Sequence, residues 1–494
     1  MSKKNSNTKT KDKDSDHINH TNHTNTTTNT NNSTDNTTNS SNNKSKDKIF
    51  KDEQEKLIYY EEQNVSEDAT TSRLNRRDLL QSGNEIEFKS RSSWLDHTIS
   101  NAKINESEFR GVFRLILVLF IMFVSRHLYN LVFSHRDPIK KELIVRVLKD
   151  FEFLFIIWPL FHVWSYLAYF LQLLVLKGLP RWISIILQHL TQSGIFILTT
   201  IICLKGNMCS THNIFTCIQC MVHFFKMHSY TEVNRAYRQE YLDCQKNKQK
   251  QILSSYPNNI TFGNFFYFCR VPTFIYQDTY PRTDSPIDWN YVVKKFFMSG
   301  FLLLFIYYVY TEYVEIYFNV ITETAIVEMI TVIAIPIFLI SVGGFYLVFE
   351  QVLPAYAELS KFEDRLFYDD WWNSVTMEEF NRKWNRIVHQ FLYKHVYLVG
   401  IKDFGISKES SKIFTFFFSA LLHEYCIVMV FGFFRPLLSV LMMFQVPLMA
   451  TTSSFWKKHK SFGNCFFWAS IIVGNALLFI LYNREYIKIY GNKF

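Results

Sequence analysis

The chain changes character near residue 110. Up to residue 109 polar positions dominate, and beyond it apolar residues gather in long blocks. An apolar block of about 18 or more residues is long enough to cross a bilayer as a helix. Nine candidate spans, some of them short, run near 112–133, 151–176, 182–204, 211–228, 294–316, 325–353, 412–430, 435–450 and 464–482. Several are amphipathic, and His162, Gln172, Gln188, His189 and Gln219 sit inside them. Polar groups at membrane depth must face protein or water. The pattern therefore predicts an all-α integral membrane fold, with about nine transmembrane helices around an interior cavity.

The remaining segments sort by composition. Residues 5–48 are rich in Asn, Thr, Ser, Asp and Lys, with almost nothing to bury. This predicts a disordered cytosolic tail over 1–90, a juxtamembrane segment over 91–111, and a membrane domain over 112–494. Met1-Ser2-Lys3-Lys4 opens no apolar core, which argues against a cleaved signal peptide. The mean hydropathy of −0.03 averages two kinds of chain. Length alone would fit about three soluble domains, but one membrane bundle uses the same length. Two connections are long, 229–293 and 354–411, and both are rich in Tyr, Trp, Asn, Arg and Lys.

Charge orients the bundle. With the N-terminus in the cytosol, Lys177, Arg181, both long connections and Lys457-Lys458-His459-Lys460 are cytosolic, as the positive-inside rule requires. The opposite segment 317–324 holds no Lys or Arg. Segment 134–149 disagrees, since it carries Arg136, Lys140, Lys141, Arg146 and Lys149. Triplets for N-glycosylation at Asn22, Asn25, Asn32, Asn36 and Asn259, among others, stay unused in this orientation.

Two constellations carry candidate chemistry. The first is Phe367-Tyr368-Asp369-Asp370-Trp371-Trp372-Asn373, followed by Arg382, Trp384, Asn385 and His389. A Trp pair at a membrane edge ordinarily marks the interfacial aromatic belt, but the later polar residues go beyond that. As one helix over 376–397, Arg382, Asn385 and His389 share a face, extended by Tyr393. Such a face suits a polyanionic ligand with an amide-rich arm. Phe380, Trp384, Val388 and Phe391 would line the other side. The second constellation is Ser419-Ala420-Leu421-Leu422-His423-Glu424-Tyr425, inside an apolar block. An intramembrane His is either a hydrogen-bonded packing residue or a general base, because imidazole titrates near neutrality. Glu424 lies about 100° round the helix from His423 and is no obvious triad partner.

Metal and redox signals are weak. His17, His20 and His23 recur every third residue in a low-complexity stretch. Cys217 and Cys220 form a lone C-x-x-C among eight scattered cysteines, without the second pair of a zinc site. Buried small apolar side chains are the expectation for them, and no metal site is expected.

The motif Phe367, Tyr368, Asp370, Trp371, Trp372, Asn373, then Trp384-Asn385, then His423-Glu424-Tyr425 resembles the membrane-bound O-acyltransferase family. The branch is that of sterol and diacylglycerol O-acyltransferases. Lys226-Met227-His228-Ser229-Tyr230, Tyr256-Pro257-Asn258-Asn259-Ile260, Pro272-Thr273-Phe274-Ile275-Tyr276, Tyr280-Pro281-Arg282-Thr283 and Phe362-Glu363-Asp364-Arg365 resemble the fungal sterol enzymes in particular. The likeness covers roughly 105–494. It implies His423 as the catalytic base, with Asn385 as its partner. It places acyl-coenzyme A contacts on Arg382, Asn385, His389, Tyr397, Lys408 and Ser419. An Asn of the animal pattern is Glu379 here, and an acid beside a polyanion is unfavourable. Animal members carry a longer tail with a luminal disulfide, and none is expected here.

The resemblance implies transfer of a long-chain acyl group from acyl-coenzyme A to a sterol, making sterol esters for storage in the endoplasmic reticulum membrane. Acyl-coenzyme A is then a co-substrate and no cofactor is expected. Further expected partners are the bilayer sterol, membrane lipids and further copies of the chain, as dimer or tetramer, but no nucleic acid. A diacylglycerol acyltransferase is the nearest alternative. A transporter is more distant, because no matching halves with interrupted helices are seen.

Overall fold

The computed structural model describes residues 86, 88–96, 118, 122, 125, 129, 144–145, 148–206, 208–247 and 254–491, all within one compact unit that starts at Asn84. The histidine run, the glycosylation triplets at Asn22, Asn25, Asn32 and Asn36, and most of the tail, of block 112–133 and of segment 134–149 lie outside them. Thirteen α-helices are described: α1 Glu152–Leu176, α2 Arg181–Lys205, α3 Ser210–Asn247, α4 Phe262–Arg270, α5 Trp289–Tyr313, α6 Ile326–Tyr346, α7 Leu353–Leu359, α8 Met377–Trp384, α9 Arg386–Leu392, α10 Leu398–Lys402, α11 Lys408–Phe431, α12 Leu437–Lys458 and α13 Lys460–Tyr490. A π-helical turn, Leu347–Val352, joins α6 to α7, and another, Tyr393–Tyr397, joins α9 to α10. There is no strand among the described residues.

Seven segments are long and apolar enough to cross a membrane, by length and composition: Glu152–Leu176, Arg181–Lys205, Trp289–Tyr317, Ile326–Leu359, Lys408–Phe431, Leu437–Lys458 and Lys460–Tyr490. They match seven of the nine expected blocks. Block 211–228 is instead the first half of the 38-residue α3, whose polar second half continues as the same helix. Local signals end these helices. Gly178 takes φ +100° and precedes Pro180, which breaks α1 from α2. Gly432 takes φ +76° where α11 stops.

The spans bury little of themselves. Phe155, Phe296, Phe297 and Val327 are between 69% and 75% exposed, as lipid-facing side chains are. The largest buried cluster lies instead under the two long connections. It joins Tyr230 of α3, Phe265 and Phe268 of α4, Phe345 of α6, and Phe362, Phe367, Tyr368 and Trp371. Those connections are therefore part of the core.

A buried acid anchors that cluster. Glu350, fully buried in the first π turn, accepts the Tyr368 hydroxyl at 2.6 Å, Ser93 Oγ at 3.2 Å and the Leu95 N–H at 3.3 Å. Lys295 of α5 donates to the Glu350 carbonyl at 2.8 Å and to Asp96 at 3.0 Å. Residues 86 and 88–96, straddling the expected tail boundary at 90, are thus held against the bundle. Arg91 pairs with Asp364 through Nε at 2.9 Å, and Trp94 meets Trp372 edge-on at 4.6 Å.

Replacing Tyr368 by Phe removes one charge-assisted bond to a buried carboxylate. A loss of about 1.5–3 kcal/mol is expected, read as a lower apparent melting temperature of detergent-purified protein. An unchanged melting temperature would show that Glu350 does not hold the motif.

Candidate functional site

The seven-residue motif builds a frame. Phe367, Tyr368 and Trp371 are buried, and Trp372 is half-buried over them. Trp371 starts a short 3-10 turn, Trp371–Asn373, closed from α13 by the Asn464 amide donating to the Trp372 and Ser374 carbonyls at 2.9 Å each. The two aspartates face the other way. Asp370 pairs with Lys383 at 3.0 Å, while Asn373 donates to Asp370 at 3.3 Å. Asp369 takes the Arg386 guanidinium on both oxygens, at 2.8 and 2.9 Å. Lys383 and Arg386 lie two residues before and one residue after Asn385.

The chain breaks at that Asn. The expected single helix over 376–397 is two helices, α8 and α9, because Asn385 takes φ −143°, ψ 89°. Its side-chain oxygen accepts the Val388 N–H at 3.1 Å, capping α9. Arg382 therefore sits on a different helix from His389, and they share no continuous face. The apolar side divides as well. Phe380 and Trp384 pack with Trp371 in the large cluster, whereas Val388 and Phe391 join Phe225 and Ile275 in another. With Asn385 Oδ1 spent on the cap, Nδ2 has no partner among the described residues and remains available as a donor.

Past the break, His389, Tyr393 and Tyr397 stack at four-residue intervals. Their ring centroids are 6.4 and 5.5 Å apart, with interplanar angles of 13° and 21°. Lost hydration, with Arg382 and Arg386 nearby, pushes the His389 imidazole down to about 4. It is therefore neutral at physiological pH and meets any ligand as a hydrogen-bonding ring rather than a cation. Glu379, which looked unfavourable beside a polyanion, is neutralised. It receives the Val375 N–H at 3.0 Å and pairs with Lys383 at 2.7 Å.

Helix α11 comes alongside. Ser411 donates to the Tyr397 carbonyl at 2.7 Å, and Lys412 pairs with Glu378 at 2.7 Å. The approach needs glycine at 400, where a Cβ would sit 2.5 Å from Ser411 Oγ. Ser407 caps α11, and Lys408 occupies its first position, where the ammonium adds to the positive end of the helix. Leu422, beside His423, shares a cluster with Val388 and Leu392 of α9. The structure thus places α11 against the π turn Tyr393–Tyr397 that follows the helix Asn385 starts.

His423 Nδ1 lies 2.7 Å from the Ser419 carbonyl. A carbonyl only accepts, so Nδ1 carries the proton, and Nε2 has no hydrogen-bond partner among the described residues. The His423 side chain is exposed. Glu424 is occupied elsewhere: it accepts the Ser439 N–H and the Tyr482 hydroxyl, each at 2.9 Å. That agrees with leaving it out of a triad. Cys217 and Cys220 are fully buried among apolar neighbours, as expected. The polar interior is met in part. Gln172 and Gln188 are buried and the His162 ring lies 4.4 Å from that of His223, but His189 is exposed.

Sequence reasoning missed Asp369, passed over as the variable position of the motif. Its only sequence signal was an acid seventeen residues before an Arg, which no local periodicity connects.

A family model described as MBOAT, membrane-bound O-acyltransferase family, matches residues 189–483. The probable sterol O-acyltransferase 1 of Schizosaccharomyces pombe is 28% identical over 472 residues, covering 81% of this chain and 86% of that protein. Sterol O-acyltransferase 2 of Saccharomyces cerevisiae is 35% identical over 241 residues, 46% of this chain and 37% of that protein. Diacylglycerol O-acyltransferase 1C of Glycine max is 31% identical over 286 residues, 54% of this chain and 53% of that protein. The match thus spans most of the first relative and about half or less of the other two. The chain belongs to the membrane-bound O-acyltransferase family, and it is a multi-pass membrane protein.

Replacing His423 by Ala should lower turnover by about 10² to 10⁴-fold, the range for a general base, at a normal yield of monodisperse protein. If His423 only packs, yield falls and turnover per folded molecule stays normal. Asp369→Ala unpins Arg386 and should lower turnover less than Asn385→Ala does. Equal turnover of Asp369→Ala and the parent protein would remove Asp369 from the site.

Proposed function

We propose that this chain transfers a fatty acyl group from acyl-coenzyme A to the hydroxyl of a sterol. It would act in the endoplasmic reticulum membrane, with its N-terminus in the cytosol. The observation that carries the reading is the pair of unspent groups on α11 and α9, two helices that pack on one apolar cluster: Nε2 of His423 and Nδ2 of Asn385. His423 Nε2 takes the proton of the acceptor hydroxyl. The oxygen then attacks the thioester carbonyl, forming the ester C–O bond as the C–S bond breaks. The thiolate leaves with the proton from His423 as coenzyme A. Asn385 Nδ2 donates to the carbonyl oxygen as charge builds there, an oxyanion-hole role.

Arg382, Lys408, His389, Tyr397 and Ser419 are assigned to acyl-coenzyme A. Lys408 lies on the face that the basic connections mark as cytosolic. The exposed His423 side chain leaves the acceptor a lateral route from the bilayer. The names of the fungal relatives support a sterol as acceptor. The soybean relative, a diacylglycerol O-acyltransferase at 31% identity, favours the second reading.

Purified protein in vesicles with labelled acyl-coenzyme A should esterify sterol faster than diacylglycerol. Equal or reversed rates would transfer the assignment to diacylglycerol. Expressed protein should show no mobility shift on endoglycosidase treatment. A large shift would place the N-terminal triplets in the lumen and invert the topology.

A further inference from the structure

A second concentration of unspent charge lies outside the His423 site. Helix α4, its connection to α5 and the turn after α7 border a cleft of about 660 Å³, lined among others by Phe266, Tyr267, Arg270, Arg282, Leu359 and Lys361. That volume is in the range of small-ligand sites. Two of the cations are held by rings. The Arg282 guanidinium lies 3.4 Å over the centroid of Tyr267, and that of Arg270 lies 3.7 Å over Phe266. A guanidinium held over a ring still presents N–H groups that can donate to a ligand. Neither arginine, nor Lys361, pairs with a carboxylate among the described residues. Two nearby acids are engaged elsewhere: Asp278 accepts Ser255 N and Oγ at 3.0 and 2.8 Å, and Glu358 pairs with Arg365.

The depth of the cleft narrows the ligand. The span Trp289–Tyr317 begins just after the lining residue Ile287, and the span Ile326–Leu359 ends at Leu359, with Lys361 two residues beyond. Both spans reach the membrane boundary here. Phe262, Trp289 and Leu359 are 55%, 62% and 42% exposed around it. The cleft therefore combines apolar walls with three unneutralised cations at headgroup level.

We propose that this cleft binds the phosphate of an anionic glycerophospholipid headgroup, with the glycerol and upper acyl carbons against Phe266, Ile287 and Leu359. The site is separate from the residues assigned to acyl transfer, so its occupancy can be read without turnover.

Full-length protein in phosphatidylcholine nanodiscs, supplied with phosphatidic acid and read by native mass spectrometry, tests this. The parent protein should retain phosphatidic acid over phosphatidylcholine. Arg270→Gln with Arg282→Gln should weaken retention by about fivefold for each charge removed. Lys457→Gln with Lys458→Gln removes two exposed charges elsewhere and should bind as the parent does. Arg270→Lys should restore much of the retention, and every variant should keep its acyl-transfer turnover, which reports correct folding. Undiminished retention in the Arg270/Arg282 variant, or equal loss in the Lys457/Lys458 variant, overturns the proposal. Displacement of the lipid by inorganic phosphate would overturn its assignment to a headgroup.

Discussion

The Asn385 side-chain oxygen accepts the Val388 N–H, and the geometry of the candidate site follows from that one bond. An uninterrupted helix would carry Arg382, Asn385 and His389 on a single stripe. The cap ends α8, restarts the chain as α9, and turns the residues on either side into different surroundings. It also settles the orientation of the amide, because only the oxygen can accept. The frame around the break is electrostatic. Asp370 holds Lys383 on one side and Asp369 holds Arg386 on the other, while the buried rings of Phe367, Tyr368 and Trp371 fix both acids. The aromatic motif is thus the scaffold that positions Asn385, rather than a surface that meets ligand.

This division of labour follows from the solvent. In a bilayer, apolar helices gain little by burying apolar faces against each other, and the spans here leave their Phe and Val side chains outward. Specific packing concentrates where water is near, under the two long connections. There the aromatic cluster, Glu350 and the segment 88–96 interlock. The helices set depth, and the connections set geometry. His423 draws on both: its helix places it at membrane depth, while Ser411, Lys412 and Leu422 bring that helix alongside the 377–402 segment.

Apolar blocks made the helical architecture legible, because seven of them are long enough to register as spans. The candidate residues were legible through motif resemblance, and the structure gathers most of them around α9 and α11. The break at Asn385 was not legible from periodicity, since two short helices in sequence keep nearly the same apolar spacing as one. An Asn after a basic turn, followed by Ile387 and Val388, was a capping signal that the periodic reading outweighed. Glu350 was hidden inside an apolar block that reads as a simple span. Its partners come from Ser93, Leu95 and Tyr368, far apart in sequence. Asp369 escaped for the same reason, because a long-range ion pair leaves no local trace.

The central claim is that Asn385 and His423 act in one transition state, Asn385 on the thioester carbonyl and His423 on the attacking hydroxyl. Groups that act together in one transition state are strongly non-additive on removal. The most direct measurement is the turnover of the Asn385→Ala/His423→Ala double variant, compared with each single variant and the parent protein at equal folded concentration. The account predicts a double variant only slightly slower than the slower of the two single variants. Losses that multiply in full would show two independent residues and contradict it.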